Sequence, residues 1–151
     1  MNICITGALG HIGSKLIRNL SVSSLDNVFL VDNLLTQRYC SLFDLPSGIK
    51  YHFYEIDILS DEIESVIRDS DVVIHLAAIT DAETSFYKKE IVERVNKKGI
   101  ECIANLCDKY NRALIFPSTT SVYGPQSELV DEDCKESELR PQSPYAESKL
   151  Y

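Results

Sequence analysis

The chain of 151 residues carries 15 Lys and Arg against 23 Asp and Glu, a formal net charge of −8, and it is 44% hydrophobic. These values suit one globular domain with its own core, and the acidic balance argues against nucleic acid as a partner. No apolar run approaches the roughly 20 residues that cross a bilayer, and no signal-peptide pattern opens the sequence. We therefore expect no membrane partner and a cytoplasmic protein.

Short apolar runs alternate with helical patterns along most of the chain. The runs predict strands over residues 2–6, 28–31, 51–54, 72–76 and 113–116. Helical spacing predicts one helix over residues 11–20, a second capped by Ser60 or Asp61, and a third within residues 88–110. The apolar side of this third helix is predicted to carry Ile91, Val95, Ile100, Ile103 and Leu106. The alternation predicts an α/β fold: a doubly wound parallel sheet of Rossmann type, with strand order 3-2-1-4-5.

The last part of the sequence departs from this alternation. Residues 124–140 are polar, acidic and interrupted by Pro125, so they predict a long loop. A new helix is predicted to begin near Pro144, shortly before the sequence ends at Tyr151. We therefore expect residues 1–151 to be an incomplete Rossmann domain that lacks a C-terminal substrate-binding lobe.

The five cysteines and three histidines give no metal pattern. The cysteines are odd in number and contain no CxxC pair, so we expect reduced thiols that serve partly as small hydrophobes. The histidines are scattered without the spacing of metal ligands. We therefore predict no metal site.

A glycine-rich turn with the sequence TGALGHIG follows the first predicted strand. In such a turn Gly7 permits the tight reversal, Gly10 lets a pyrophosphate approach the backbone, and Gly13 lets the helix pack closely. Free N–H groups at the helix start, near His11 and Ile12, then face the phosphates. The turn predicts a dinucleotide site.

An acidic residue completes this pattern at the end of the second predicted strand. Asp32 lies about 20 residues beyond the last glycine, where a carboxylate accepts hydrogen bonds from the adenosine ribose. The same charge repels a 2′-phosphate, so Asp32 favours NAD over NADP. Asn33 follows directly and is assigned to the same part of the cofactor site.

Further motifs follow in a fixed order along the chain. They are Asp57-Ile58, His75-Leu76-Ala77-Ala78, the NxxG stretch at Asn96, Ser121-Val122-Tyr123-Gly124 and the YxxxK pair of Tyr145 and Lys149. Together with the glycine turn and Asp32, this set resembles the extended short-chain dehydrogenase/reductase superfamily. Within that superfamily it resembles the NAD-dependent nucleotide-sugar epimerase/dehydratase family, over the whole chain. One departure is Ile100, which replaces the final Thr of the family's NxxGT stretch.

The resemblance implies a role for each of these motifs. It implies that Asp57 and Ile58 contact the adenine and that Asn96 helps to order the active-site backbone within the cofactor site. It also implies a cofactor-lining turn after the fourth strand, formed by Leu76, Ala77 and Ala78. His75 itself is expected to be structural. The full protein is expected to form a homodimer through a four-helix bundle that includes the YxxxK helix.

The YxxxK pair predicts acid–base chemistry at a sugar hydroxyl. Tyr145 and Lys149 are i and i+4, so on a helix they share a face and the ammonium stabilises the phenolate. The positive charge of the nicotinamide acts in the same direction, so the pKa of Tyr145 is expected to fall toward neutrality. Tyr145 then takes a proton from a substrate hydroxyl while hydride leaves for NAD, and Lys149 also holds the nicotinamide ribose.

The third catalytic group is a hydroxyl from the segment after the fifth strand. Alignment on the VYG sequence puts Thr119 at the family's Ser/Thr position, with Ser118 and Thr120 as neighbouring alternatives. Sugar 4,6-dehydratases carry Asp-Glu directly after this Thr, whereas this chain has Thr120-Ser121. The resemblance therefore disfavours a dehydratase.

Three functions stay open from the sequence. The first is a nucleotide-sugar 4-epimerase that oxidises C4 transiently with NAD, with Ser85 and the Thr119–Gly124 segment touching the sugar. The second is an NAD-dependent sugar dehydrogenase or reductase with net hydride transfer. The third is a dinucleotide-binding module without chemistry, which a natural end at Tyr151 would favour.

Overall fold

The computed structural model describes residues 1–21, 25–80, 89–125 and 130–150. Its strands are β1 (Asn2–Thr6), β2 (Asn27–Asp32), β3 (Lys50–Glu55), β4 (Val72–His75) and β5 (Ala113–Ile115). Its α-helices are α1 (His11–Ile17), α2 (Ile63–Arg68), α3 (Lys89–Val92), α4 (Lys98–Tyr110) and α5 (Pro144–Glu147). A π-helix, Glu93–Lys97, joins α3 to α4, and 3-10 turns occur at Tyr39–Leu42, Thr120–Val122 and Glu136–Glu138.

The strands form a parallel sheet in the order β3-β2-β1-β4-β5, as predicted. The register places Ile5 of β1 opposite Leu30 of β2 on one side and Ile74 of β4 on the other. Since the strands are parallel, their carboxyl ends meet at one edge of the sheet. The turns after β1, β2 and β4 therefore lie side by side there, at the point where the strand order reverses.

Each face of the sheet buries its own apolar cluster, because side chains alternate across a strand. One cluster packs the sheet against α2 and α4 and includes Cys4, Phe29 and Ile67. The other packs the sheet against α1 and includes Ile5, Leu30 and Ile17. This double cover explains why the three central strands β1, β2 and β4 have almost continuous apolar sequences.

The third predicted helix is present but its buried face differs from the prediction at the start. Ile91, which we expected inside, is 50% exposed, whereas Val92 is fully buried. The π-helix that follows has a wider turn, and it places the polar Asn96 inside, at 3% exposure. The apolar pattern misassigned this turn because an amide occupies the interior position.

Two element boundaries also differ in detail from the prediction. Helix α1 ends at Ile17 and not at Leu20. Helix α2 begins at Ile63, and its N-cap residue is Glu62, whose side chain makes no capping hydrogen bond. Ser60 instead accepts a hydrogen bond from the Glu62 N–H through its Oγ, at 3.3 Å, just before the helix. Among the described residues of 124–140, the Glu136–Glu138 3-10 turn is the only helical or strand element, which agrees with the predicted loop.

The chain divides into two compact units. The first contains Met1–Ala77 and Gly99–Pro117, and the second contains Ala78–Lys98 and Ser118–Tyr151. The sheet and both apolar clusters belong to the first unit. In neither unit does the structure describe a helix long and apolar enough to cross a membrane.

Two helical glycines give a matched test of this packing. A Cβ on Gly13 would lie 2.4 Å from the Gly7 carbonyl oxygen, whereas a Cβ on Gly99 would first meet the mobile Cδ1 of Ile58, at 2.6 Å. We expect Gly13→Ala to lower the free energy of unfolding by about 1–3 kcal/mol, because backbone atoms cannot move aside. Gly99→Ala should stay within about 1 kcal/mol of the wild type, since helix propensity offsets the repacking of Ile58. Urea unfolding measures both, and equal losses would contradict the argument.

Candidate functional site

The glycine turn is held against the turn after β4 by a close backbone contact. Gly7 has φ +66°, in the left-handed region, and a Cβ there would lie 2.6 Å from the Ala77 nitrogen. Gly13 packs on the carbonyls of Gly7 and Ala8. The predicted reasons for Gly7 and Gly13 are therefore confirmed in geometry.

Gly10 differs from these two glycines because the described residues leave its side-chain direction largely open. A Cβ on Gly10 would meet only the Gly7 carbonyl oxygen within 4 Å among described atoms beyond its chain neighbours, at 3.1 Å. Gly10 is also the N-cap residue of α1. Because glycine has no side chain, it provides no capping oxygen to the first N–H groups of the helix. His11 and Ile12 are exposed at this helix start. An open backbone of this kind fits the approach of a phosphate.

Thr6, which the sequence used only as part of a motif, joins β1 to the turn after β4. Its Oγ1 lies 2.7 Å from His75 Nδ1 and accepts a hydrogen bond from the Ala77 N–H at 3.3 Å. His75 is buried, at 1% exposure, and stacks on Phe116 with 5.8 Å between ring centroids. His75 is therefore structural, as predicted, and the Thr6 hydroxyl that it contacts holds Ala77 beside the glycine turn.

Asp32 is oriented toward the glycine turn by two backbone donors. The Leu9 N–H donates to one carboxylate oxygen at 3.0 Å, and the Leu34 N–H donates to the other at 2.9 Å. Leu34 itself has φ +56°, which lets the chain reverse directly after β2. Each oxygen keeps a second lone pair, so the carboxylate can still accept hydrogen bonds from a ligand.

The adenine residues implied by the resemblance lie in different environments. The Asp57 side chain is exposed and accepts a hydrogen bond from Asn33 Nδ2 at 3.4 Å, so the two predicted polar residues meet. Ile58 is 6% exposed and packs in the core against Gly99. Its side chain faces the interior, and only its backbone can reach a ligand.

In the second unit Asn96 organises the segment that follows β4. Its Oδ1 accepts a hydrogen bond from the Ile79 N–H at 2.8 Å, and its Nδ2 donates to the Ile79 carbonyl at 3.0 Å. Nδ2 also donates to Ser148 Oγ at 3.2 Å. The amide is committed to these partners, so any effect of Asn96 on a cofactor acts through the backbone that it holds.

Tyr145 and Lys149 do come together, although the helix between them is shorter than predicted. Helix α5 ends at Glu147, and the Lys149 N–H donates to the Ala146 carbonyl at 3.1 Å in a tighter turn. The Lys149 ammonium lies over the Tyr145 ring, 5.9 Å from its centroid.

The electrostatics of this pair correct one prediction. Burial raises the pKa of Tyr145 above its ordinary value, and burial lowers the pKa of Lys149. The expected fall in the Tyr145 pKa does not arise within this chain, because desolvation disfavours the phenolate.

The three candidate hydroxyls after β5 have different partners. Ser118 Oγ donates to the Lys149 carbonyl at 3.2 Å. Thr119 is the N-cap of the Thr120–Val122 turn, and its Oγ1 accepts a hydrogen bond from the Ser121 N–H at 3.3 Å. Among the described residues none accepts the Thr119 proton, which can therefore be donated to a ligand, whereas the Ser118 proton is already used.

The end of this segment is closed by a second glycine with a left-handed backbone. Gly124 has φ +63°, and a Cβ there would lie 2.0 Å from the Arg140 carbonyl oxygen. The Arg140 N–H in turn donates to the Val122 carbonyl at 2.9 Å. Ser85, the other predicted sugar contact, lies outside the described residues.

The burial of Lys149 predicts a gain in stability when its charge is removed. Lys149 is 7% exposed and its pKa is lowered by desolvation, so its protonated form is disfavoured in the folded state. We expect Lys149→Met to raise the free energy of unfolding at neutral pH by roughly 0.5–1 kcal/mol, because methionine avoids the desolvation of a buried charge. Because the lowered pKa penalises folding only while Lys149 is protonated, the gain should shrink as the pH rises through the ordinary lysine range. A pH series of urea unfolding curves measures this, and a gain that grows with pH would contradict it.

Comparison with known proteins gives a consistent result. Residues 3–151 match the NAD dependent epimerase/dehydratase family. The chain is 29% identical to an uncharacterised UDP-glucose epimerase of Bacillus subtilis, covering 99% of this chain and 49% of that protein. It is 30% identical to a dTDP-D-glucose 4,6-dehydratase of Dictyostelium discoideum, covering 97% of this chain and 37% of that protein.

A solved structure of similar fold is the UDP-glucuronic acid 4-epimerase of Bacillus cereus in complex with UDP-glucuronic acid and NAD. The TM-score is 0.84 at 32% identity, covering 99% of this chain and 49% of that one. The chain thus spans about half the length, or less, of the relatives that it matches. Its fold, its motifs and the match over nearly its whole length agree, and the chain belongs to the NAD-dependent epimerase/dehydratase family.

Proposed function

We propose that this chain is the NAD-binding part of a nucleotide-sugar 4-epimerase. The observation that carries the proposal is that the second unit contains a half-buried phenol, an ammonium over its ring and a Thr hydroxyl that donates to no other described residue. A phenol and a cation in contact are the parts that proton transfer at a sugar hydroxyl requires. The relatives with 4-epimerase activity in their names support the choice of reaction.

Specific residues would hold NAD in the first unit. The open backbone at Gly10 and the start of α1, near His11 and Ile12, would receive the pyrophosphate. The Asp32 carboxylate would accept the ribose hydroxyls, with Asn33 and Asp57 beside the adenine. The Leu76–Ala78 backbone would line the same edge of the sheet.

When bound, NAD would supply reversible hydride transfer at the sugar carbon, so that the hydride can return to the opposite face of the sugar. Tyr145 removes the proton of the C4 hydroxyl and gives it back in the reverse step. The Lys149 ammonium would favour the Tyr145 phenolate, whereas burial raises the pKa of the phenol. Thr119 donates its free proton to the reacting oxygen and so holds that oxygen near Tyr145.

The absence of acids beside Thr119 supports an epimerase over a dehydratase. Thr120 and Ser121 occupy the 3-10 turn where the dehydratases carry a carboxylic acid pair, and both are exposed. A hydroxyl cannot move the protons that elimination of water requires. Relatives of both kinds match the chain, so this local difference is what favours the epimerase.

The partners that we propose follow from the same reading. The substrate is a nucleoside-diphosphate sugar, as in the UDP-glucuronic acid complex of the Bacillus cereus relative. A homodimer of the complete protein is also proposed, with α3 and the YxxxK segment at its interface. The exposed Ile91 and Leu150 on these elements, at 50% and 41%, are compatible with such an interface.

The test is to incubate the complete gene product with NAD and a panel of UDP-, GDP-, CDP- and dTDP-sugars. We expect one C4 epimer to form without net NADH, and Tyr145→Phe to lower its rate by about 10²–10⁴-fold while NAD still binds. Tyr110→Phe, which removes a half-buried phenol bonded to Glu64 in the first unit, is the matched control and should act like the wild type.

Other outcomes of this panel separate the alternatives. Stoichiometric NADH would favour a dehydrogenase, whereas NAD binding without any product would favour a module without chemistry. A Tyr145→Phe variant with the wild-type rate would exclude the proposed acid–base role.

Asp32 predicts the choice of cofactor. Asp32→Asn leaves one acceptor oxygen for the Leu9 and Leu34 N–H groups, and its amide turns a donor toward the other. We expect NAD to bind about 10-fold more weakly, because a charged acceptor for the ribose is lost, and the preference over NADP to shrink. Titration calorimetry with both dinucleotides measures this. Asp61→Asn removes an exposed charge elsewhere as the control, and an unchanged ratio of the two affinities would refute the role of Asp32.

A further inference from the structure

Ser148 connects Tyr145 to Asn96 by hydrogen bonds within the second unit, and no sequence motif indicated this role. It is 4% exposed, between Tyr145 and Lys149 in the chain. Its hydroxyl donates to the Tyr145 carbonyl at 2.7 Å and accepts from Asn96 Nδ2 at 3.2 Å. A hydroxyl in this position uses its single proton and one lone pair, so both of its roles are fixed.

The hydrogen bond to Tyr145 explains the local backbone. In a continued α-helix the Lys149 N–H would bond the Tyr145 carbonyl. Here Ser148 Oγ bonds that carbonyl, and the Lys149 N–H bonds the Ala146 carbonyl instead, at 3.1 Å. Side-chain hydroxyls compete with the backbone in this way and tighten the end of a helix.

The hydrogen bond from Asn96 connects this turn to another element. Asn96 is buried on the π-helix, and its amide is bonded to both backbone groups of Ile79, the N–H at 2.8 Å and the carbonyl at 3.0 Å. Ser118 Oγ holds the Lys149 carbonyl from the other side, at 3.2 Å. Three hydrogen bonds therefore fix the backbone from which the Lys149 side chain extends. The hydroxyls of Ser148 and Ser118 donate two of them, and the Lys149 N–H donates the third.

We propose that Ser148 is a positioning residue, whose hydroxyl ties the Lys149 turn to Asn96 and thereby keeps the ammonium over the Tyr145 phenol. This inference rests on the proposed function in that the phenol is the acid–base group. Without the hydroxyl, the Tyr145 carbonyl is released and the buried Asn96 donor loses its acceptor. The turn would then relax toward the helical pattern, and the ammonium would move with it.

The charged groups around α5 stay the same when Ser148 is changed. Five of them line a cavity of about 360 Å³ beside Pro144 and Ser148: Lys89, Glu93, Lys97, Glu136 and Glu147, the last on α5 itself. The elements packed against α5 also carry Glu90 on α3 and Arg94 on the π-helix. The Thr120–Val122 turn that also packs on α5 carries no charge. A difference in titration between Ser148 variants would therefore report the Lys149 ammonium.

The experiment is an NMR titration of the phenol in the NAD-loaded gene product. The protein carries ¹³Cζ-labelled tyrosine, and Tyr145→Phe assigns the signal. We expect Ser148→Ala to raise the midpoint of Tyr145 by about half a pH unit or more, since an ammonium stabilises a nearby phenolate. Ser148→Thr keeps the hydroxyl and should titrate like the wild type.

Ser70→Ala is the matched control for the loss of a buried serine hydroxyl. Ser70 is fully buried and its Oγ donates to the Val66 carbonyl at 2.7 Å, so its loss tests stability alone. It should leave the Tyr145 midpoint unchanged. If Ser148→Ala does not fold, Ser148→Cys, of similar size but with a weak donor, takes its place and should show a smaller rise in the same direction.

Turnover of the sugar identified by the panel gives the second measurement. We expect kcat of Ser148→Ala to fall about 10-fold with KM within about twofold, because positioning affects the transition state more than substrate binding. A Tyr145 midpoint equal in Ser148→Ala, Ser70→Ala and the wild type would overturn the inference, whether or not a sugar is turned over. A shifted midpoint in a protein inactive on every sugar would support the inference and reject the epimerase.

Discussion

The close contact between the turns after β1 and β4 is the constraint on which the first unit depends. A Cβ at Gly7 would lie within 2.6 Å of the Ala77 nitrogen, so only a glycine lets these two backbones meet. Thr6 and His75 reinforce the same contact with a hydrogen bond of 2.7 Å. Because β1 and β4 are neighbours at the reversal of strand order, their turns define the edge at which such sheets bind ligands.

In the second unit a buried amide has the same importance. Asn96 is almost fully buried, and it satisfies both backbone groups of Ile79 as well as the Ser148 hydroxyl. A buried amide with these partners fixes its neighbours, because each lost hydrogen bond would leave a polar group unpaired. The π-helix is the local distortion that brings Asn96 inside, and such distortions are frequent at functional sites.

The sheet could be predicted from sequence because its signals are local and repeated. Apolar runs such as residues 28–31 mark buried strands, and the glycine turn marks the junction to α1. The face of the third helix could not be predicted, since burial of Asn96 depends on partners distant in sequence, at Ile79 and Ser148. The effect of burial on the pKa of Tyr145 was not predicted, because spacing gives the neighbour of a group but not its desolvation. The hydrogen bonds of Thr6 and Ser148 were also missed, because their partners are distant in sequence. The YxxxK motif indicated only the region of Ser148.

The junction of Gly124 with Arg140 has a consequence for the segment between them. The Arg140 carbonyl fills the space where a side chain of residue 124 would lie, and the Arg140 N–H bonds Val122. The two ends of residues 125–139 are thus joined before the chain reaches Tyr145. The entropy of closing a loop grows only slowly with its length, so insertions or deletions between these ends would cost little. Changes in the length of this acidic stretch away from Glu136, which lines the cavity beside Ser148, would therefore leave the junction intact, as long as position 124 remains a glycine.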